Sequence, residues 1–279
     1  MILTSDVPLD LGLTVTSGQL FHWTEENAQF KIIQDRTVLY ARQVSQIQIE
    51  VQQAGKTMSR SELSELFGLN IHRKATLKHL QKDRFLAEFL PTYSGLTIMR
   101  QNPYECLISF MASAMSNIPR IMRNVQDLRA QIGTTIKRTE EKSFPSPKQI
   151  VELGELGLRK LGLGYRARYI ATTCDRIVVD GIRLQEWNEK STSDLTNSLS
   201  SFEGVGGKIA ECTALFGFGR WDTFPVDVWV KRALNALDPE LSGMSADKLC
   251  EWGKKRWGQN AGLAQQILFC AARNNQIPF

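Results

Sequence analysis

Apolar and polar positions first follow a strand rhythm and then switch to helical spacing. Phe30-Lys31-Ile32-Ile33-Gln34 and Val38-Leu39-Tyr40-Ala41-Arg42 read as short strands, joined by Asp35-Arg36-Thr37, a turn without a glycine. Ile47-Gln48-Ile49-Glu50-Val51 alternates apolar with polar residues, as a half-buried strand does. From Ser61 the period lengthens. Leu63, Leu66 and Phe67 share one helical face, and a second helix is predicted over Leu77 to Phe89. Pro91 and Gly95 punctuate a boundary. Beyond it, Tyr104 to Ala112 is apolar on most sides, which predicts a buried central helix. A further helix is predicted from Pro119 to Gln131, and a basic polar stretch then ends at Pro145-Ser146-Pro147. Ile150, Leu153 and Leu161 predict a helix interrupted by glycines, and Gln185 to Phe279 is mostly helical by spacing. The pattern predicts an α+β fold. An N-terminal domain over 1–95 carries an antiparallel sheet with helices, and 96–279 forms a mostly α-helical domain.

Composition narrows the function classes. The 279 residues are 42% apolar and 23% charged, so disorder, collagen and coiled coil fit poorly. The net charge of +5 permits a polyanionic partner without demanding one. No apolar run approaches the ~20 residues that a membrane helix needs. The N-terminus Met1-Ile2-Leu3-Thr4-Ser5-Asp6 lacks the basic and apolar regions of a secretory signal. Five widely spaced cysteines include no C-x-x-C pair, and the three histidines are scattered, so no zinc site, iron–sulfur cluster or disulfide framework is expected. A reducing, intracellular setting follows, with chemistry done by ordinary side chains.

The most informative segment runs from Leu195 to Val230. Leu195, Leu199 and Phe202 lie on one helical face. Glu203-Gly204-Val205-Gly206-Gly207 follows, and Ile209, Ala210, Cys212, Thr213 and Phe216 resume helical spacing. A helix that begins at such a hairpin points unpaired N–H groups outward, which suits a phosphate oxygen of a DNA backbone. An ordinary corner between two helices fits the glycines equally well. Lys208 opens the second helix, where the macrodipole disfavours a cation and so favours the uncharged amine that a nucleophile requires. Asp227, nineteen residues further on, precedes another apolar-periodic run as an N-cap would. The plain alternative is a solvated lysine and a structural cap. The chemical one is an amine that attacks C1′ of a deoxyribose, beside a carboxylate that stabilises the charge developing as the glycosidic bond breaks.

The segments Gly204-Val205-Gly206-Gly207-Lys208-Ile209-Ala210 and Phe224-Pro225-Val226-Asp227-Val228 resemble the helix-hairpin-helix DNA glycosylase superfamily, and within it the 8-oxoguanine DNA glycosylase/AP lyase family. Ser17-Gly18-Gln19-Leu20-Phe21-His22-Trp23, Arg100 to Leu107, Leu161 to Tyr169 and Gly262 to Phe269 carry the same likeness, in the expected order. The resemblance implies a bifunctional enzyme that excises 8-oxoguanine from duplex DNA and cleaves the strand by β-elimination, as a monomer and with no cofactor or metal in the chemistry. Its compartment would be the cytoplasm or nucleoid of a prokaryote or the nucleus of a eukaryote. Lys208 would form the Schiff base and Asp227 would assist base loss. Gly18 would accept the N7 hydrogen that guanine lacks, Cys212 and Phe269 would sandwich the flipped base, and Gln265 would bond its Watson–Crick edge. Arg120 and Arg166 would contact the base left behind, Tyr165 would wedge into the duplex, and Asn117, Gly204, Gly206 and Gly207 would face the DNA.

Three departures stand out. Met115 occupies the position of an asparagine that contacts the opposite cytosine, Glu203 replaces a common proline, and Trp229 stands where a histidine often follows the aspartate. Two rivals remain: a monofunctional glycosylase for alkylated bases, which keeps the aspartate without the lysine, and a non-catalytic DNA-docking hairpin.

Overall fold

The computed structural model describes residues 1–69 and 73–278. The N-terminal part is a five-stranded antiparallel sheet of β1 (Ile2–Thr4), β2 (Trp23–Glu26), β3 (Gln29–Gln34), β4 (Thr37–Ser45) and β5 (Gln48–Gly55), in the spatial order β1-β5-β4-β3-β2. The two central pairings place Phe30 opposite Ala41 and Ala41 opposite Val51, so one face of the sheet is apolar. That face buries Ile32, Leu39 and Val51 against α1 (Leu11–Thr16) and α2 (Arg60–Leu66). The sheet is larger than the hydrophobic rhythm indicates. β1 and β2 escape it because β2 is exposed along most of its length and β1 has three residues. Asp35, with φ +53°, supplies the left-handed bend at the β3–β4 turn that a glycine would otherwise provide.

The predicted helix over Leu77 to Phe89 is corrected by the structure. α3 (Arg73–Leu80) ends early, and only the short α4 (Leu90–Tyr93) follows. Between them the Asp83 carboxylate takes the Phe85 N–H at 2.9 Å, a local bond that competes with helix continuation. Asp83 also meets Arg256 at 2.8 Å across the fold. Pro91 lies in the first turn of α4, where its missing N–H costs nothing.

The helical part contains α5 (Pro103–Ala112), α6 (Ile118–Ile132), α7 (Pro147–Leu158), α8 (Arg166–Val179), α9 (Thr192–Ser200), α10 (Gly207–Phe218), α11 (Val228–Leu237), α12 (Ala246–Trp257) and α13 (Ala261–Arg273). α5 is central, packed against α8 and α10 and buried along nearly its whole length, as its all-round apolar sequence requires. Gly154, with φ +68° inside α7, makes the glycine interruption expected there. The large helical core also takes in Leu80, Phe85, Leu86, Phe89 and Tyr93, as well as Phe21 from the sheet side. Among the described residues no helix is long and apolar enough to cross a membrane.

Candidate active site

A cavity of about 470 Å³ opens where the sheet-side loop, α5, α10, α11 and α13 converge. Its walls bring together Gly18, Asn117, Lys208, Cys212, Asp227, Gln265 and Phe269, residues spread over most of the chain. Arg120, Tyr165, Arg166 and the hairpin glycines lie outside the wall.

Lys208 follows Gly207 in the first turn of α10, whose N-cap is Gly206. Its Nζ donates to Ser113 Oγ at 2.9 Å and lies 5.1 Å from the centre of the Phe110 ring. The lysine therefore rests on the last turn of α5. Asp227 caps α11, with Oδ1 accepting the Val230 N–H at 2.9 Å. Burial raises its carboxyl above the ordinary aspartate value, while the Val230 N–H and the Lys208 charge act in the opposite direction. One side chain thus caps a helix and lines the cavity.

Gly18 has φ +83°, and a Cβ there would come 2.9 Å from Ile118 Cδ1 and 3.3 Å from the Phe269 ring. Only glycine gives both the backbone turn and the space. Its loop is pinned by glutamines. Gln266 Nε2 donates to the Ser17 carbonyl at 2.9 Å, Gln19 Nε2 to the Thr97 carbonyl at 2.9 Å, and Gln101 Nε2 to the Gln19 carbonyl at 2.6 Å. Gln265 is 4% exposed, and its Oε1 has no hydrogen-bond partner among the described residues. A buried amide oxygen without a donor is costly, and this one belongs to a residue of the cavity wall. Burial pushes the Cys212 thiol up to about 12, so it stays protonated and acts as a small apolar surface. Phe269 carries the Arg273 guanidinium 5.6 Å above its ring.

The duplex-facing candidates are disposed differently. Met115 is 90% exposed with φ +47°, and Tyr165 is 49% exposed. Arg166 is 5% exposed, and its guanidinium is committed to the Ala114 and Met115 carbonyls, the latter at 2.7 Å. In this conformation it holds the 114–115 backbone and presents no free edge to a base. The Asn117 side chain caps α6 through the Arg120 N–H at 3.0 Å, and the exposed Arg120 guanidinium reaches the Gly162 carbonyl at 3.3 Å. Tyr165 packs edge-on against Tyr169, at 6.3 Å between centres. A Cβ on Gly204, whose φ is +82°, would strike the Tyr169 ring at 2.5 Å. Gly206 is different: its Cβ would meet nothing within 4 Å, so its side is open for an incoming backbone. The charge of Glu203 is answered by Arg168 at 3.1 Å. Trp229 lines the cavity, with the Arg232 guanidinium 5.9 Å from the centre of its ring.

Sequence reasoning missed Ser113, Phe110 and Gln266. Phe110 reads as plain core in an apolar helix. Two adjacent glutamines in the otherwise apolar Gly262 to Cys270 run were the available signal for Gln266.

Residues 1–107 match the model of the 8-oxoguanine DNA glycosylase N-terminal domain, and residues 108–257 match that of the HhH-GPD superfamily base excision DNA repair proteins. The chain is 31% identical over 252 residues to the N-glycosylase/DNA lyase of Saccharomyces cerevisiae, covering 75% of this chain and 65% of the yeast protein. It is 33% identical over 204 residues to the N-glycosylase/DNA lyase OGG1 of Arabidopsis thaliana, covering 68% of this chain and 56% of the plant protein. The Clostridium acetobutylicum 8-oxoguanine glycosylase/lyase, solved with double-stranded DNA containing cytosine opposite 8-oxoguanine, superposes with a TM-score of 0.88 at 28% identity, over 99% of both chains. The chain belongs to the 8-oxoguanine DNA glycosylase family of the HhH-GPD superfamily.

Proposed function

We propose that this chain binds double-stranded DNA, extrudes 8-oxoguanine into the cavity and acts as a bifunctional DNA glycosylase and AP lyase. The observation that carries this reading is that Lys208 and Asp227 share one cavity with the unpartnered amide oxygen of Gln265. Lys208, as the free amine, attacks C1′. The glycosidic electron pair leaves with the base, which takes up a proton, and the Asp227 carboxylate stabilises the positive charge developing on the sugar. Loss of a proton from nitrogen and opening of the sugar ring at O4′ give the Schiff base. Its protonated form acidifies the C2′ hydrogens, and removal of one expels the 3′ phosphate by β-elimination. Hydrolysis of the imine then returns the amine.

The Gly18 carbonyl accepts N7–H of 8-oxoguanine. Guanine would bring a lone pair to the same place, and two facing acceptors are rejected. Gln265 Oε1 accepts from the Watson–Crick edge, with Phe269 and Cys212 against the faces of the base. Gly204, Gly206 and Gly207 bring the start of α10 to the DNA backbone, and Tyr165 wedges the duplex. Arg120, Arg166 and Asn117 border the vacated position. The cavity is built within one chain, consistent with action as a monomer, and the substrate sets the compartment as that of the cell's DNA.

Borohydride reduction in the presence of a duplex containing 8-oxoguanine tests the reading. Wild-type protein yields a covalent protein–DNA adduct, and Lys208→Gln yields none. Wild-type protein that gives neither adduct nor free base overturns the assignment.

A further inference from the structure

Ser113 ends α5, with its backbone N–H directed to the Phe110 and Met111 carbonyls. Its hydroxyl proton goes to the Phe110 carbonyl at 2.7 Å. A hydroxyl has one proton, so with that proton spent its oxygen can only accept. The donor it meets is Lys208 Nζ at 2.9 Å. The same nitrogen lies against the Phe110 ring, which is itself fixed edge-on to Phe21 at 5.4 Å and stacked on Phe216 at 5.5 Å. The last turn of α5 therefore gives the lysine nitrogen a two-point seat, and Asp227 is part of neither point.

We propose that Ser113 is a positioning residue for Lys208. By accepting one N–H of the uncharged amine, it fixes rotation about Cε–Nζ and turns the lone pair toward the cavity, where C1′ arrives. The polarity of the pair is set by the Phe110 carbonyl: Ser113 orients the nucleophile and does not deprotonate it. Alignment of the attacking orbital is a recognised source of rate, and one seat bond is of the size to matter. This proposal rests on the reading of Lys208 as the nucleophile.

The test compares wild type, Ser113→Ala and Ser113→Thr under single-turnover conditions with saturating 8-oxoguanine duplex. Base release and borohydride trapping are followed across pH, with duplex affinity and thermal midpoint measured in parallel. Ser113→Ala is expected to lower both rates about tenfold, the worth of one ordinary hydrogen bond. Duplex affinity, thermal midpoint and the midpoint of the pH–rate profile stay at wild-type values. Ser113→Thr restores the rates, because a threonine hydroxyl makes the same bond to the carbonyl one turn back. Three outcomes overturn the proposal: wild-type rates in Ser113→Ala, a loss confined to duplex affinity, or a folded Ser113→Thr as slow as Ser113→Ala. A displaced pH midpoint would give Ser113 control of protonation and would overturn it as well. Wild type without an adduct would remove the Lys208 reading first, a result separate from these.

Discussion

At the end of the cavity proposed for the reaction, Lys208, Asp227 and the Gly18 loop have fixed partners. Lys208 rests on Ser113, Asp227 caps α11, and the Gly18 loop is tied down by Gln19, Gln101 and Gln266. At the rim proposed to face the duplex the backbone is held equally firmly, by Arg166 on the Ala114 and Met115 carbonyls, but the Met115 side chain projects into solvent. Met115 stands 90% exposed there. The difference separates two tasks. Chemistry needs atoms held within fractions of an ångström of a productive geometry, and Lys208 and Asp227, the residues proposed for it, are half-buried and bonded. Reading what lies opposite needs a side chain of suitable character on a preset backbone, and that character changes with one substitution. A thioether at 115 offers contact area but no hydrogen-bond donor.

Substitutions can break this contrast. The largest effect is expected from Lys208→Gln, which removes the covalent adduct and lyase cleavage altogether, read by trapping and strand scission. Asp227→Asn comes next. Asparagine still caps a helix, so thermal stability changes little, while loss of the negative charge slows base release by about 10²–10³-fold in single-turnover assays. Gly18→Ala follows. Its methyl group would stand 3.3 Å from the Phe269 ring at a φ of +83°, so it narrows the base slot and strains the loop together. Base release falls and stability drops by more than about 1 kcal/mol, read by thermal or denaturant unfolding.

A smaller effect sharpens the contrast at the rim. Met115→Asn supplies the missing hydrogen-bonding groups. It is expected to raise the preference for cytosine opposite 8-oxoguanine by up to about tenfold, within the ~1–3 kcal/mol of one base contact, and to leave Schiff-base formation with the preferred pair unchanged. Excision assays against the four opposite bases read this directly. A wild-type enzyme already strictly selective for cytosine would show that Met115 does not govern the choice.

The smallest effect lies beneath the reacting end. His22 donates to or accepts from Ser109 on α5 at 2.9 Å and stands 3.6 Å from Glu105. Burial, aided by the Arg129 charge, lowers His22 to about 3. Burial, aided by Asp35, raises Glu105 to about 8. In the unfolded chain they titrate near 6.5 and 4.5. The unfolded state therefore binds the His22 proton first as pH falls, which costs stability below 6.5. It releases the Glu105 proton first as pH rises, which costs stability from 4.5 upward to about 8. Between 4.5 and 6.5 the two effects oppose each other, and from 6.5 to 8 Glu105 acts alone. Glu105→Gln is expected to flatten the decline of the thermal midpoint over that last interval, where each ~1 kcal/mol corresponds to roughly 2–4 °C.

The helical half of this fold was legible because its signals are local. A Gly-rich hairpin, a cap before an apolar run and an all-apolar α5 each announce themselves within ten residues. The cavity itself was legible through the resemblance, since Gly18, Lys208 and Phe269 are far apart in sequence and no periodicity links them. Ser113 was not legible, because a serine at the end of a helix looks like any C-terminal polar residue until the lysine of another helix is placed on it. The partners of Arg166 were equally illegible. A guanidinium reads as a DNA contact, and only the fold reveals that two carbonyls of the 114–115 segment already hold it. The Leu77 to Phe89 reading failed because apolar spacing continued while the Asp83 side chain diverted the backbone.

The most direct measurement is the site of attachment in the borohydride-reduced adduct. After nuclease and protease digestion, mass spectrometry is expected to find the reduced sugar remnant on the peptide containing Lys208, at its Nζ. A remnant on another lysine, or on the amino group of Met1, would contradict the assignment of this cavity as the place where the sugar is attacked.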